Sequence, residues 1–220
     1  MKIRTINELQ DCIDSDLAWR RKELTAIKSS IQGARKFAKN TALRGGVALL
    51  YAHWEGFIKN VATYYLGYVS SLKLPYSDLK PNFLAVAIKH DVDTFVSTQK
   101  ATKHTEIVSK IFSIKDTRSK IPVENVIKSN SNLNSEIFQE IMTVIGLSYD
   151  KYELNFKLID EQLLKMRNSI AHGERVEELD LDETKFNTLY GKIVGLIEDF
   201  AIQILNAAVL KEYLSKPKCT

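Results

Sequence analysis

Apolar residues recur along this chain mostly at steps of three and four, which is the period of a helix with one buried face. Residues 5–38 read as one long helix. Ile6, Leu9, Ile13, Leu17, Leu24, Ile27 and Ile31 form its stripe, and Thr5 or Asn7 caps it. Residues 41–73 read as a second helix. Val47, Leu50, Tyr51, Trp54, Phe57, Ile58, Val61 and Tyr65 occupy most of its circumference, so it is expected at the centre of the fold, with Pro75 ending it. Residues 76–132 are less regular. Pro81 opens a short helix to about His90, and 104–114 form another. Ile121-Pro122-Val123 and the Ser/Asn-rich stretch 128–132 read as loops, so this region is an insertion between helical pairs.

Helix returns at Ser135–Ile145, and Gly146 is placed to stop it. Residues 154–172 carry a seam of Phe156, Ile159, Leu163, Met166 and Ile170, and Gly173 terminates that helix. The last helix spans 182–214, with Phe186, Leu189, Ile193, Leu196, Ile197, Phe200, Ile204 and Ala207 as its stripe; Lys216–Thr220 read as a frayed tail. The pattern therefore predicts a single all-α domain over residues 1–220 with an irregular insertion at 76–132.

Composition changes this picture little. Of 220 residues, 45% are hydrophobic and 26% charged, enough to bury a core without staples. Cys12 and Cys219 lie at opposite ends, outside any metal-ligand spacing or disulfide framework, and fit a reducing compartment. Residues 1–10 lack a signal-peptide core and no apolar run of about 18 residues exists, so the expectation is a cytoplasmic protein with no membrane partner. The net charge of +4 excludes nothing, but its distribution is uneven. Arg20, Arg21, Lys22, Lys28, Arg35, Lys36, Lys39 and Arg44 face one acid, Glu23, in residues 20–44, and 98–128 are also basic. Such stretches either track phosphates or solvate a helix face. Residues 160–180 are acidic through Asp160, Glu161, Glu174, Glu177, Glu178 and Asp180.

The chemistry-bearing candidates cluster at the end of the 154–172 helix. Arg167 and His172 stand with four residues between them, with Asn168 directly after the Arg. Taken as residues, Arg167 either pairs with an acid while His172 caps the helix C-terminus, or the two act on a phosphate. An imidazole moves protons near neutral pH, and a guanidinium holds phosphate oxygens in a fork. Five helical steps set the two about 140° apart, so they converge only where the helix frays or where a second subunit completes the site. On the second helix Arg44, Tyr51 and Glu55 share a face. Glu55 either sets Arg167 or pairs with Arg44. His53 is expected to be a packing histidine, and Trp54 and Tyr65 core. His90-Asp91-Val92-Asp93 lacks the partners of a metal site, so no metal or cofactor is expected.

Arg167-Asn168-Ser169-Ile170-Ala171-His172-Gly173 resembles the Arg-(four to six residues)-His motif of the HEPN superfamily. Leu43 to Phe57 is similar to the early helix of its MAE-type branch. The resemblance implies a HEPN-like helical bundle and a metal-independent endoribonuclease that works as a homodimer, typically as a toxin or antiphage-defence effector. It implies Arg167 and His172 as catalytic, Asn168 and Glu55 as supporting, RNA as substrate, and an antitoxin or nucleotidyltransferase as a possible partner. The basic stretch, represented by Arg35, Lys36, Lys39 and Arg44, would then carry RNA. Two other roles occur in such families: a non-catalytic protein- or RNA-binding module, and a nucleotide-binding partner of a nucleotidyltransferase.

Overall fold

The protein is described by a computed structural model covering residues 2–174 and 181–215, apart from the side chains of Lys36 and Phe37. It is all-α. The helices are α1 (Ile6–Gly33), α2 (Lys36–Leu72), α3 (Pro81–Ala87), α4 (Lys89–Ser97), α5 (Ala101–Ile114), α6 (Ser135–Ile145), α7 (Lys165–Ala171) and α8 (Glu183–Val209). Among the described residues the only extended pairing is two isolated bridges, Pro75 with Arg118 and Leu79 with Leu214.

α2 is the axis. Its 37 residues span about 55 Å at 1.5 Å per residue. Leu50, Trp54, Phe57, Ile58, Val61, Ala62, Tyr65, Leu66 and Val69 are completely enclosed. α1, α6, α7 and α8 all pack on it. A large core surrounds its middle and C-terminal parts; a smaller one, built on Ile31, Leu43, Val47, Leu181 and Phe186, surrounds its N-terminal part. α2 ends at Lys73, which takes a left-handed conformation (φ 49°) two residues before Pro75.

Several boundaries differ from the periodicity. The first helix stops at Gly33, because Ala34 and Arg35 are extended and α2 starts already at Lys36. The insertion is more helical than expected: α4 and α5 pair with each other, and α4 contacts α3. Gly146 ends α6 with φ 73°, a conformation glycine adopts without a Cβ penalty. The last helix ends at Val209, not Leu214. The tail Lys216–Thr220, with Cys219, and the acidic residues Glu177, Glu178 and Asp180 lie outside the described residues.

The main departure is on α1. Its apolar stripe packs as expected, Leu17 included, but the buried face also carries two charged residues, Asp16 and Arg20, among Leu9, Ile13, Leu24 and Ile31. Arg20 is therefore no part of a solvated basic stripe; it is 4% exposed, paired with the equally buried Asp16. The Asp16 carboxylate accepts from Arg20 Nε (3.1 Å), Trp19 Nε1 (2.7 Å) and Asn60 Nδ2 (3.2 Å). Arg20 Nη1 also lies 3.3 Å from both the backbone oxygen and Nδ1 of His53. Its guanidinium sits over the Trp19 ring at 4.5 Å. Gly56 makes room for it, since a Cβ there would stand 2.9 Å from Nη1. His53 is the buried packing histidine the sequence led us to expect, and Glu23 lies 2.9 Å from its Nε2.

This network sets the register of α1 on α2. Breaking one side of a buried ion pair strands the other charge, which costs about 3–5 kcal/mol. Asp16→Ala should lose stability on that scale in urea unfolding; a midpoint within error of wild type would show that the pair contributes nothing.

Burial, then the Arg20 charge, push the His53 imidazole below its ordinary value of 6.5, with Glu23 opposing. Below that pH the unfolded chain takes up a proton that the folded chain resists, so this contribution is complete above about 6.5 and is lost as pH falls. The melting temperature of wild type should therefore drop more steeply than that of His53→Gln between pH 7 and 5. Parallel curves would assign the acid loss to other groups.

Candidate functional site

The helix bearing the motif is not a plain α-helix. After a 3-10 segment at Asp150–Asn155, the chain makes a π-helix at Leu158–Leu164 and only then enters α7. Leu158, Ile159, Leu163 and Leu164 are the buried residues of that stretch. They form two pairs five residues apart, the spacing that i→i+5 bonding stacks on one face. The wider turn also hands the seam from one core to the other: Ile159 and Leu163 enter the large core, Met166 and Ile170 the small one. Asp160 is occupied within the fold, accepting from the Ser135 backbone N–H (2.7 Å) and hydroxyl at the start of α6.

Arg167, half-buried, leaves α7 toward α2. Its guanidinium lies 4.6 Å from the centroid of the Tyr51 ring. Nη1 donates to Asn168 Oδ1 (2.7 Å), and Nη2 to the backbone oxygen of Ser131 (3.3 Å). Tyr51 is held in turn: its hydroxyl accepts from Leu133 N–H at 2.6 Å. Burial, followed by the neighbouring Glu55 carboxylate, raises the Tyr51 phenol far above its ordinary value, so it stays neutral beneath the cation. Glu55 accepts from the hydroxyl of the buried Ser129.

The 129–133 loop thus holds three members of the cluster. It does so through two consecutive left-handed residues, Asn130 (φ 50°) and Ser131 (φ 56°). Non-glycine residues there store strain of about 1–3 kcal/mol each, and such strain concentrates at functional sites. The sequence marked this stretch only as a loop. Asn130 was the available signal, because Asn tolerates left-handed φ better than most residues.

Arg44 reaches the other end of α7. It donates to the backbone oxygen of Ile170 (3.1 Å), in the last turn of α7, and to that of Glu174, in the loop just beyond it. His172 caps α7 with φ −81° and ψ 0°, and Gly173 follows in the left-handed region (φ 86°). The His172 side chain is exposed and has no hydrogen-bond partner among the described residues.

The shared face of Arg44, Tyr51 and Glu55 is therefore real, and two of the three touch the motif helix directly. Among the described residues Glu55 forms an ion pair with neither Arg167 nor Arg44; its carboxylate and the Arg167 cation both act on Tyr51. Asn168 binds Arg167, not the His172 ring. Arg167 and His172 do not meet within one chain. Of the basic stretch, Arg35 is exposed, Lys39 pairs with Glu183, and the Lys36 side chain lies outside the described ones. Asp91 pairs with Lys110, and no cluster of potential metal ligands occurs among the described residues. No described helix is long and apolar enough to cross a membrane.

A family model, RiboL-PSP-HEPN, matches residues 15–206, which includes every residue of this cluster. No curated protein and no solved structure matches the chain.

If the Tyr51 ring seats Arg167, the two halves of that residue are separable. Tyr51→Phe keeps the ring and should cost about 1 kcal/mol for the orphaned Leu133 N–H. Tyr51→Leu also loses the ring face under the cation and should cost about 2–4 kcal/mol. Urea unfolding that ranks Tyr51→Phe as the worse of the two would refute the seat.

Proposed function

Because the chain belongs to the HEPN superfamily, in its RiboL-PSP-HEPN family, we propose that it is a metal-independent endoribonuclease acting through Arg167 and His172, a toxin or antiphage-defence effector. The observation that carries this reading is the division of labour at the end of α7. Arg167 is fixed by Tyr51, Asn168 and Ser131, while the His172 ring stands open to solvent a few residues away. A fixed cation and a free imidazole are what cleavage through the ribose needs.

In this mechanism the 2′-oxygen attacks the adjacent phosphorus and gives its proton to a base. The P–O5′ bond breaks, and the leaving 5′-oxygen takes a proton from an acid. The products are a 2′,3′-cyclic phosphate and a 5′-hydroxyl end. His172 transfers protons, and Arg167 uses the N–H groups left over from its internal bonds to hold the charged phosphorane. Asn168 and Glu55 act at one remove, Asn168 on the guanidinium and Glu55 through Tyr51. Two proton transfers with one motif histidine per chain call for a homodimer that brings two His172 rings to one phosphate. Arg44 serves to hold α7 in place, which leaves Arg35, Lys36 and Lys39 to carry RNA. The likeness of residues 43–57 to the MAE-type branch is part of the same proposal.

A second reading, a non-catalytic module docking a protein such as an antitoxin or a nucleotidyltransferase, draws on the acidic groups beside the motif. Glu161 and Glu174 are exposed there and disfavour RNA.

Purified protein should cleave total RNA in EDTA and leave 2′,3′-cyclic phosphate ends, with light scattering reporting a dimer. His172→Ala and Arg167→Ala should each lose about 10²–10³-fold in rate, and Asn168→Ala less. Cleavage by His172→Ala equal to that of wild type, or a monomer in an active preparation, would overturn the proposal; no cleavage of any RNA would transfer support to the docking module.

A further inference from the structure

The turn that closes over Arg167 is held more firmly than a connecting loop requires. Its two ends, Ser129 and Leu133, are buried, at 1% and 0% exposure. Ser129 donates its hydroxyl to Glu55, and the Leu133 N–H donates to the Tyr51 hydroxyl, so both ends are fixed to α2. Between them the Asn132 N–H closes on the Ser129 carbonyl at 2.9 Å. With positive φ at both central residues, Asn130 and Ser131, this is a β-turn of the primed kind. The Ser131 carbonyl accepts from Arg167 Nη2. The function proposed above uses the turn only as a brace for the guanidinium.

A brace does not account for the side chains at the apex. Turns of this kind favour glycine, usually as Asn-Gly, because a Cβ is penalised at positive φ. Here the second central position is serine, with Asn130 and Asn132 on either side of it. All three side chains are exposed, while the backbone beneath them is anchored to buried groups. A backbone oxygen braces a guanidinium whatever side chain it belongs to. Strain kept at a non-glycine position beside a reactive group therefore points to a use for the side chains themselves.

Position supplies that use. Consecutive Cα atoms are 3.8 Å apart, so both amides lie within one residue of the carbonyl that touches Arg167. A phosphate on the remaining Arg167 N–H groups brings the base of an adjoining nucleotide beside the apex. Selective recognition of RNA works on unpaired bases, through their Watson–Crick and Hoogsteen edges. A side-chain amide presents one donor and one acceptor in a plane. Adenine answers with that pair on both edges, the 6-amino group beside either ring nitrogen, whereas the guanine Hoogsteen edge calls for two donors from Arg or Lys. Residues 129–133 contain no cation.

We infer that Asn130 and Asn132 are specificity-determining residues, which read an unpaired adenine adjoining the scissile phosphate from the rigid base of the 129–133 turn. This role presupposes the ribonuclease reading and adds to it a choice of base.

The full-length protein is incubated in EDTA with single-stranded RNA of randomised sequence, and the 2′,3′-cyclic phosphate ends are sequenced. The wild type should cut beside adenine about tenfold more often than beside any other base, the discrimination of one bidentate contact. Asn130→Gly keeps the positive φ, deletes the amide and should melt as wild type does. Asn130→Gly and Asn132→Ala should each lower the adenine preference about threefold or more, and the double variant should erase it. The preference is a ratio between bases within one reaction, so slower cleavage alone does not move it. Asn168→Ala, which acts on the guanidinium, should slow cleavage beside every base alike and keep the ratio. No cleavage by the wild type overturns the ribonuclease reading and, with it, this role of the turn. Cleavage without base preference, a preference for a base other than adenine, or an adenine preference that survives in the double variant overturns the role of the turn alone. So does a preference that Asn168→Ala abolishes equally, since selectivity then resides in Arg167.

Discussion

A helix of 37 residues that is apolar on nearly every face cannot stay in water, and α2 imposes that constraint on everything else. It must be wrapped, and α1, α6, α7 and α8 do the wrapping. Burial alone is non-directional and would allow the wrapping helices to slide or rotate. The polar contacts of α2 remove that freedom at two levels. Toward its middle, His53, Gly56 and Asn60 receive the Arg20–Asp16 pair and lock α1. Toward its N-terminal part, Arg44 and Tyr51 receive the end of α7 and the Arg167 side chain.

The two levels occupy neighbouring turns of one helix, so the stability of the fold and the geometry of the candidate site are not separate matters. His53 and Gly56 face α1, while Tyr51 and Glu55, interleaved with them in sequence, face the motif and the 129–133 loop. A shift of α2 that relaxed the buried ion pair would move the ring under Arg167. The loop adds a second dependence. Residues 121–133 line a cavity along the C-terminal half of α2 at Val123, Asn125 and Ile127, and close over the site at Ser129, Ser131 and Leu133.

The motif itself is asymmetric. Arg167 is spent partly inside its own chain, through a ring face, an amide oxygen and a backbone oxygen, whereas His172 sits past the last helical turn with an unengaged ring. The π-helix before α7 is the local cause of the placement. It turns Leu158–Leu164 to the large core and delivers Met166 and Ile170 to the small one, which orients Arg167 toward α2.

The sequence by itself determined the helical class, the central position of α2, the stop at Gly146, and the residues of the motif with the face of Arg44, Tyr51 and Glu55 that meets it. These follow from local rules: the 3.6-residue period, the conformational freedom of glycine, and i, i+4 and i, i+7 geometry. It counted Arg20 in a basic stretch and passed over Asp16, because the spacing of charges along a helix does not say whether another helix covers them. It ran the first helix through the break at Ala34–Arg35 and missed α4 in the insertion for a related reason: short segments take their boundaries from packing more than from propensity. Tertiary structure alone decided that Asn168 serves Arg167, that Arg44 holds carbonyls at the end of α7, and that a strained Asn-Ser pair closes over the guanidinium. The first is a choice of side-chain rotamer between neighbours, the second a contact between groups distant along the chain and the third a matter of backbone φ, and none of these is encoded in the spacing of residue types.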